Sequence, residues 1–456
     1  MASPVKSFLT EAEHVAFDPD HRKKIRFNIG RYDSAVEKGR KRYSDIELAR
    51  NRAALKKREV LKNLPDLLLQ FEKSITKNGA EVYWAENSLD AVSIALSHIK
   101  DAGGKTLVKS KSMITEEIEL NDHLENAGIE TVETDLGEFI VQVAGEKPYH
   151  IVTPAMHKSK EDVARLFNEH FNTPIDLTPE QMTLFVREYL RKKFISADVG
   201  VTGANFLIAK EGAVAVTENE GNALLSASMP KLHIVIAGIE KILPELKDLD
   251  LFWPLLAVHG TGQQITVYSN LFFGPKKQSE KDGPEKMVVI LVDNGRTKLY
   301  EDEIIQESLS CIRCGSCLNG CPVYKNIGGY TYNSTYSGPI GAVITPHLRS
   351  FEEFKHLSFA STLCGKCAEV CPVKIPLPEL LIYNRQLAAK KKLTPAKERF
   401  LLSASTFFLL HRSLLDLFNG KLKTLAVKLF NDKIFGKKRE LKEFPSESFS
   451  KQWKHK

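Results

Sequence analysis

Residues 311–322 read Cys311-Ile-Arg-Cys314-Gly-Ser-Cys317-Leu-Asn-Gly-Cys321-Pro322, a C-x2-C-x2-C-x3-C-P run. This is the bacterial ferredoxin pattern for a 4Fe-4S cluster. Two residues between successive thiolates let them reach different iron corners of one cuboidal cluster. Gly315 and Gly320 allow tight turns whose amides face the sulfides. The fourth cysteine, followed by Pro322, is directed away and serves a second cluster.

Fifty residues on, the pattern repeats with one change. Ser361-Thr-Leu-Cys364-Gly-Lys-Cys367-Ala-Glu-Val-Cys371-Pro372 has Ser361 where the leading cysteine belongs. Crossed ligation then assigns every thiolate: Cys311, Cys314, Cys317 and Cys371 to one cluster, and Cys321, Cys364 and Cys367 to the other. The second site has three thiolates. Two outcomes stay open there: a 4Fe-4S cluster whose fourth iron takes Ser361, water or another group, or a 3Fe-4S cluster. A serine hydroxyl gives up its proton reluctantly and is a poor ligand at neutral pH.

All seven cysteines of the chain fall between Cys311 and Cys371. A disulfide scaffold would spread an even number through a short secreted chain. Zinc, which takes four ligands in a tetrahedron, would leave three thiols unexplained. The 42 residues between Cys321 and Cys364 are long for a compact bacterial ferredoxin. With helical stretches on either side, they predict the helical two-cluster type found in iron-sulfur subunits of respiratory dehydrogenases. Two clusters so linked form a wire, so the expected chemistry is electron transfer.

Upstream lies a different pattern. From Ala80, short apolar strands alternate with helical stretches, which predicts an α/β domain with a largely parallel main sheet. Expected strands are Ala80–Trp84, Thr106–Lys109, Glu130–Glu133, His150–Thr153, Phe206–Ala209, Ala213–Val216, Leu232–Ala237, Leu255–Val258, Gln264–Ser269 and Met287–Val292. Expected helices are Ser88–Asp101, Thr115–Ala127 and Lys160–Phe171, and Gly274–Pro284 reads as a loop. Before this domain, the charged, helix-favouring run Asp33–Lys73 predicts a helical extension. After the cysteines, Leu380–Lys392 and Phe400–Phe418 read as helices, the second very apolar. The expected divisions are 1–72, 73–294, 295–380 and 381–456.

Polar clusters at strand ends mark where an open α/β sheet binds ligands: Lys109–Ser112, Glu133–Glu138, Pro154–Lys158, Gly200–Asn205 and Glu218–Asn222. None matches a dinucleotide or P-loop fingerprint. His157 and His233 are candidate catalytic groups, although a lone histidine beside a strand is more often a hydrogen-bonded structural residue.

The chain has 456 residues, 43% apolar and 27% charged, which excludes wholesale disorder, collagen and coiled coil. No run approaches the roughly 18–20 apolar residues of a membrane span. Met1–Phe27 lacks a secretory pattern, so a soluble cytoplasmic protein is expected. The net charge of +7 is unevenly spread: residues 1–62 hold 16 Lys/Arg against 9 Asp/Glu, and residues 381–456 hold 18 against 6. Residues 63–380 hold 30 against 42. Basic ends suit an acidic partner or an anionic membrane surface, or are solvated helix faces. No nucleic-acid motif accompanies them. The spacing of Leu422, Leu425, Val427, Leu429 and Phe430 suits core packing, or a helix on the inner face of a membrane or on a partner.

Taken together, VKSKSMITEEI (108–118), ETDLGEFIVQVAGEKPYHIVTPAMHK (133–158), ADVGVTGANFLIAKEGAVAVTENEGNA (197–223), GIEKILP (238–244) and the cysteine pair resemble the lactate utilization protein B family. The resemblance covers essentially the whole chain. It implies a LUD domain, similar in fold to the CoA-transferase and ribose-phosphate isomerase group, then a two-cluster ferredoxin domain and a C-terminal region. It also implies a bacterial protein acting with two companions in oxidising L-lactate to pyruvate, carrying electrons toward a downstream acceptor. The family tends to have serine at the place of Ser361, which favours two 4Fe-4S clusters. Two other functions compete: a LUD-domain enzyme or small-molecule sensor with structural or redox-sensing clusters, and a scaffold assembling the companions through its basic ends. No flavin or nicotinamide signature is present, and no catalytic residue is assigned.

Overall fold

The computed structural model describes residues 4–411, 413–414, 418–425, 428 and 442–454. They form two compact units, Met1–Gln386 and Leu387–Lys456. The first contains ten strands: β1 Glu81–Ala85, β2 Thr106–Lys109, β3 Glu130–Glu133, β4 Val199–Thr202, β5 Phe206–Ile208, β6 Ala213–Glu218, β7 Leu232–Gly238, β8 Ile242–Leu243, β9 Tyr268–Phe272 and β10 Lys286–Val292.

Six strands make one wholly parallel sheet in the order β1-β10-β7-β4-β2-β3. A parallel sheet must be covered on both faces, and its central strands are therefore apolar at every position. β10 shows this: Val288, Ile290 and Val292 join the core beneath the helix Ser88–Asp101, while Met287, Val289 and Leu291 join the core on the other face. That helix starts where Asn87 accepts the Asp90 N–H at 3.1 Å, and it buries Ala91, Val92, Ala95 and Ile99 along one stripe. A smaller sheet, β8-β5-β6-β9, packs in the second core.

Helices Pro4–Ala16, Pro19–Arg40, Ile46–Lys62 and Leu64–Lys77 precede the sheet. Those after it are mostly short turns of helix around the cysteines, with Gly338–Leu348, Leu377–Lys390 and Ala396–Leu410 as the longer ones.

Several expectations are corrected. His150–Thr153 is not a strand: His150 Nδ1 accepts the N–H groups of Val152 and Thr153 at 3.1 and 3.3 Å, folding the backbone around its own side chain. Leu255–Val258 lies inside the helix Leu249–Thr261, because a four-residue apolar run carries no period of its own. The strand expected at Gln264–Ser269 is shifted to Tyr268–Phe272. Thr115–Ala127 is two helices, Met113–Glu117 and Leu120–Asn126, broken by Glu119 at φ 52°. β4 and β8 were not expected. Gly200 hides β4 from pattern reading, yet it is required there: a Cβ would lie 1.7 Å from the Ser226 carbonyl oxygen.

In the second unit, the helix Ala396–Leu410 ends earlier than expected, and Phe400, Leu401, Leu409 and Leu410 on it are exposed. Leu422 and Leu425 are exposed as well, against the core-packing reading, whereas Val427, Leu429 and Phe430 lie outside the described residues. No helix among the described residues is long and apolar enough to cross a membrane.

Candidate iron-sulfur centre and the cavity beside it

The two cysteine loops share one backbone. In the first, Arg313 (φ 61°) precedes Cys314 and Gly315 (φ 79°) follows it, opening the helix Ser316–Gly320 that carries Cys317. In the second, Leu363 (φ 54°) precedes Cys364 and Gly365 (φ 83°) opens Lys366–Glu369, which carries Cys367. Left-handed conformation suits Gly315 and Gly365, but at Arg313 and Leu363 it costs roughly 1–3 kcal/mol each and persists where the surroundings impose it. The Arg313 N–H donates to Cys311 Sγ at 3.4 Å, and the Leu363 N–H donates to Ser361 Oγ at 3.1 Å. Ser361 therefore stands in the same local geometry as Cys311.

Cys311, Cys314, Cys317 and Cys371 line one narrow void of about 20 Å³, walled otherwise by Ile151, Ile340, Val373, Ile375 and other mainly apolar groups. Burial, then the neighbouring Cys371 thiol, pushes Cys314 up to about 12. Burial with Cys311, Cys314 and Cys371 nearby raises Cys317 as well. Cys321 and Cys367 feel a different set: burial and Cys364 raise Cys321, and burial with Cys321 takes Cys367 up to about 11. The seven thiols thus fall into the groups 311/314/317/371 and 321/364/367. Cys364 alone is exposed, and the Lys366 N–H beside it lowers its pKa.

Among the described residues no three His, Cys, Asp or Glu side chains converge on a point that a single ion would occupy. Four thiols around a water-poor space are a donor set for an iron-sulfur core. Its positive charge would stabilise thiolates that burial and mutual repulsion otherwise keep protonated. Cys321, Cys364 and Cys367 form the second, more exposed thiol group.

An N-terminal residue missed in the sequence holds this region together. Arg50, on Ile46–Lys62, is 5% exposed. It donates to the Cys371 carbonyl from Nε (3.1 Å) and Nη2 (2.8 Å), and to the Glu369 carbonyl at 2.6 Å. Nothing in its local pattern distinguishes it from neighbouring arginines. On the other side, Ser316 Oγ donates to the His259 carbonyl at 2.6 Å and Tyr324 Oη to the Tyr149 carbonyl at 3.1 Å.

Against the first thiol group lies a cavity of about 390 Å³, lined by Ser110–Ser112, Asp135, Gly203–Asn205, Glu218–Glu220, Gly238, Glu240, Lys241, Arg296, Arg313 and Cys314, among others. Its walls follow the carboxyl ends of β2, β3, β4, β7 and β10, so four of the five polar clusters converge here. A buried charge network crosses from strand ends to cysteine loop. Arg296 makes paired bonds to Glu117 (2.9 and 2.7 Å) and one to Glu240 (2.6 Å). Arg313 Nη2 meets Glu240 at 3.4 Å, and its guanidinium lies over the Tyr336 ring at 4.5 Å. Burial opposes the charge on Glu240, but Arg296 and Arg313 hold it down to about 2. Burial brings Lys241 down to about 8, with Arg313 adding to the effect.

The candidate catalytic histidines are elsewhere. His157 Nε2 lies 2.7 Å from Glu146, and His233 Nε2 lies 2.8 Å from Thr202 Oγ1 within the sheet. Burial lowers His233 to about 3, keeping it neutral. Both have structural hydrogen-bond roles and neither lines the cavity.

The fold and the paired thiol loops define an α/β domain joined to a helical, ferredoxin-type iron-sulfur domain. The LUD domain family matches residues 68–292 and the 4Fe-4S dicluster domain matches residues 307–375. Lactate utilization protein B of Bacillus subtilis is 44% identical over 350 residues, 76% of this chain and 73% of that one. The uncharacterized electron transport protein YkgF of Escherichia coli is 42% identical over 350 residues, 77% and 74%. A solved DUF162 family protein from Deinococcus radiodurans aligns with 50% of this chain and 98% of its own, at 13% identity and TM-score 0.29. The chain belongs to the lactate utilization protein B family.

Proposed function

We propose that this chain is the iron-sulfur electron carrier of an L-lactate-oxidising system, acting with two companion proteins in the cytoplasm, in reach of the inner membrane face. In this reading Cys311, Cys314, Cys317 and Cys371 hold one 4Fe-4S cluster. Cys321, Cys364 and Cys367 hold a second, with Ser361 at its remaining corner. Bound clusters supply one-electron chemistry; the chain's own residues space them and set their exposure. The expected division at residues 72, 294 and 380 belongs to the same reading.

The observation that carries it is the doubled loop: two thiol groups on one repeated backbone, one buried against the α/β domain and one open to solvent through Cys364. Such a pair accepts an electron inside and delivers it at the surface. Basic stretches at both ends suit docking to acidic partners.

Anaerobic purification with iron and sulfide counting and EPR tests the cofactors. Growth on lactate of Cys314→Ser and Cys364→Ser strains tests the role. About eight irons per chain and loss of growth in both strains are expected. Undiminished growth of both would overturn the assignment.

A further inference from the structure

We propose that the 390 Å³ cavity at the strand ends binds a short hydroxy- or oxo-monocarboxylate, its carboxylate held at Lys241 beside Arg313 and Cys314.

The place is one that open parallel sheets reserve for ligands. After β2 the chain moves outward to β3, then returns through β4 toward β7, so the connections diverge between β2 and β4. Crevices at the carboxyl ends of strands around such a switch point are where ligands lodge. The volume lies in the range of small-molecule sites, roughly 300–1,000 Å³.

Charge selects the ligand class. Two cations of the lining are committed: Arg296 to Glu117 and Glu240, and Lys111 to the Val152 carbonyl (2.9 Å) and Asp135 (3.4 Å). Lys241 has neither a hydrogen-bond nor an ion-pair partner among the described residues. Arg313, whose side chain is 10% exposed, leaves Nη1 buried without a partner. A carboxylate satisfies such unused donors in the geometry they prefer. Asp135 and Glu220, on the same cavity, present carboxyl oxygens that accept hydrogen bonds from a hydroxyl group.

The wall between cavity and thiols is thin. Ile151, Arg313 and Cys314 line both the cavity and the void enclosed by Cys311, Cys314, Cys317 and Cys371. A ligand at Lys241 therefore alters the field at the first cluster. The choice of L-lactate and pyruvate as probes rests on the function proposed above.

The test is calorimetry on the anaerobically purified full chain, with L-lactate, pyruvate and uncharged lactamide as probes. Saturable one-to-one binding of L-lactate or pyruvate, none of lactamide, and a shifted EPR signal of the reduced chain are expected. Lys241→Gln removes an unpartnered charge, and Ala204→Leu fills the cavity from another wall. Each should weaken binding about tenfold or more, as loss of a charge-assisted contact or of the space implies, with iron content unchanged. No saturable binding to the iron-loaded chain, or full-strength binding by either variant, overturns the inference. A chain that binds the probes but lacks clusters would instead sink the electron-carrier reading and leave this one standing.

Discussion

Leu363 donates its main-chain N–H to Ser361 Oγ at 3.1 Å, in the register where Arg313 donates to Cys311 Sγ at 3.4 Å. The two loops present a hydroxyl and a thiol from equivalent positions. Soft thiolate binds iron-sulfur cores far better than a hydroxyl, so in the proposed two-cluster reading the corner at Ser361 would be the weak one. On mild oxidation, wild type should lose one iron per chain and develop a 3Fe-4S EPR signal. Ser361→Cys should retain that iron at least several-fold longer. Equal loss rates would place the labile corner elsewhere.

Arg50 closes three hydrogen bonds onto the carbonyls of Glu369 and Cys371. Its removal strands buried acceptors and should cost about 2–4 kcal/mol. Arg50→Ala is expected to lower the thermal midpoint and to release the cluster proposed to depend on Cys371. Arg50→Lys, which keeps the charge but not the fork, should recover part of the loss. Denaturant melts with iron counting check both.

His233 is held neutral by burial, its pKa lowered from 6.5 to about 3. Because the unfolded chain binds this proton more readily, the stability it confers is fully present above pH 6.5 and is lost as pH falls toward 3. The slope is up to ~1.4 kcal/mol per pH unit. His233→Gln should flatten the stability profile across that window by about one proton, read from urea midpoints at successive pH values. An unchanged slope would mean the side chain is charged in the fold.

Glu240 adds a lower window. Arg296 and Arg313 overcome its burial and hold it at about 2, against 4.5 when free. Its contribution is present above pH 4.5 and declines as pH falls toward 2. Glu240→Gln leaves Arg296 and Arg313 under-compensated and should cost roughly 3–5 kcal/mol at neutral pH, as breaking a buried pair does. Thermal melts at pH 7 and pH 4 should show a smaller gap between wild type and variant at the lower pH.

Cys364 is exposed with a lowered pKa, while Cys314, Cys317, Cys367 and Cys371 are buried and raised. Thiolate fraction and access both favour Cys364. A brief iodoacetamide pulse on cluster-free chain at pH 7 should alkylate it first, by tenfold or more on peptide mapping. Uniform labelling would contradict the folded thiol arrangement.

What could be read directly from the residues was local. Cys311, Cys314 and Cys317 sit three apart, the spacing that a 4Fe-4S cluster requires, and the same spacing recurs at Cys364 and Cys367. Ser88–Asp101 and Lys160–Phe171 carry their caps at Asn87 and Ser159, so their bounds were legible. Chain folding had to decide the rest. Arg50 and Cys371 are 321 residues apart, and the network of Glu117, Glu240, Arg296 and Arg313 draws on four separate segments. The cavity exists because five parallel strands end at one level, and β4 among them was hidden by a glycine that its neighbour's backbone requires. Ligand spacing and helix caps are interactions between near neighbours, which periodicity and motif record. Burial, charge pairing and the meeting of strand ends depend on distances that exist only once the sheet has formed and the N-terminal helices have packed against it.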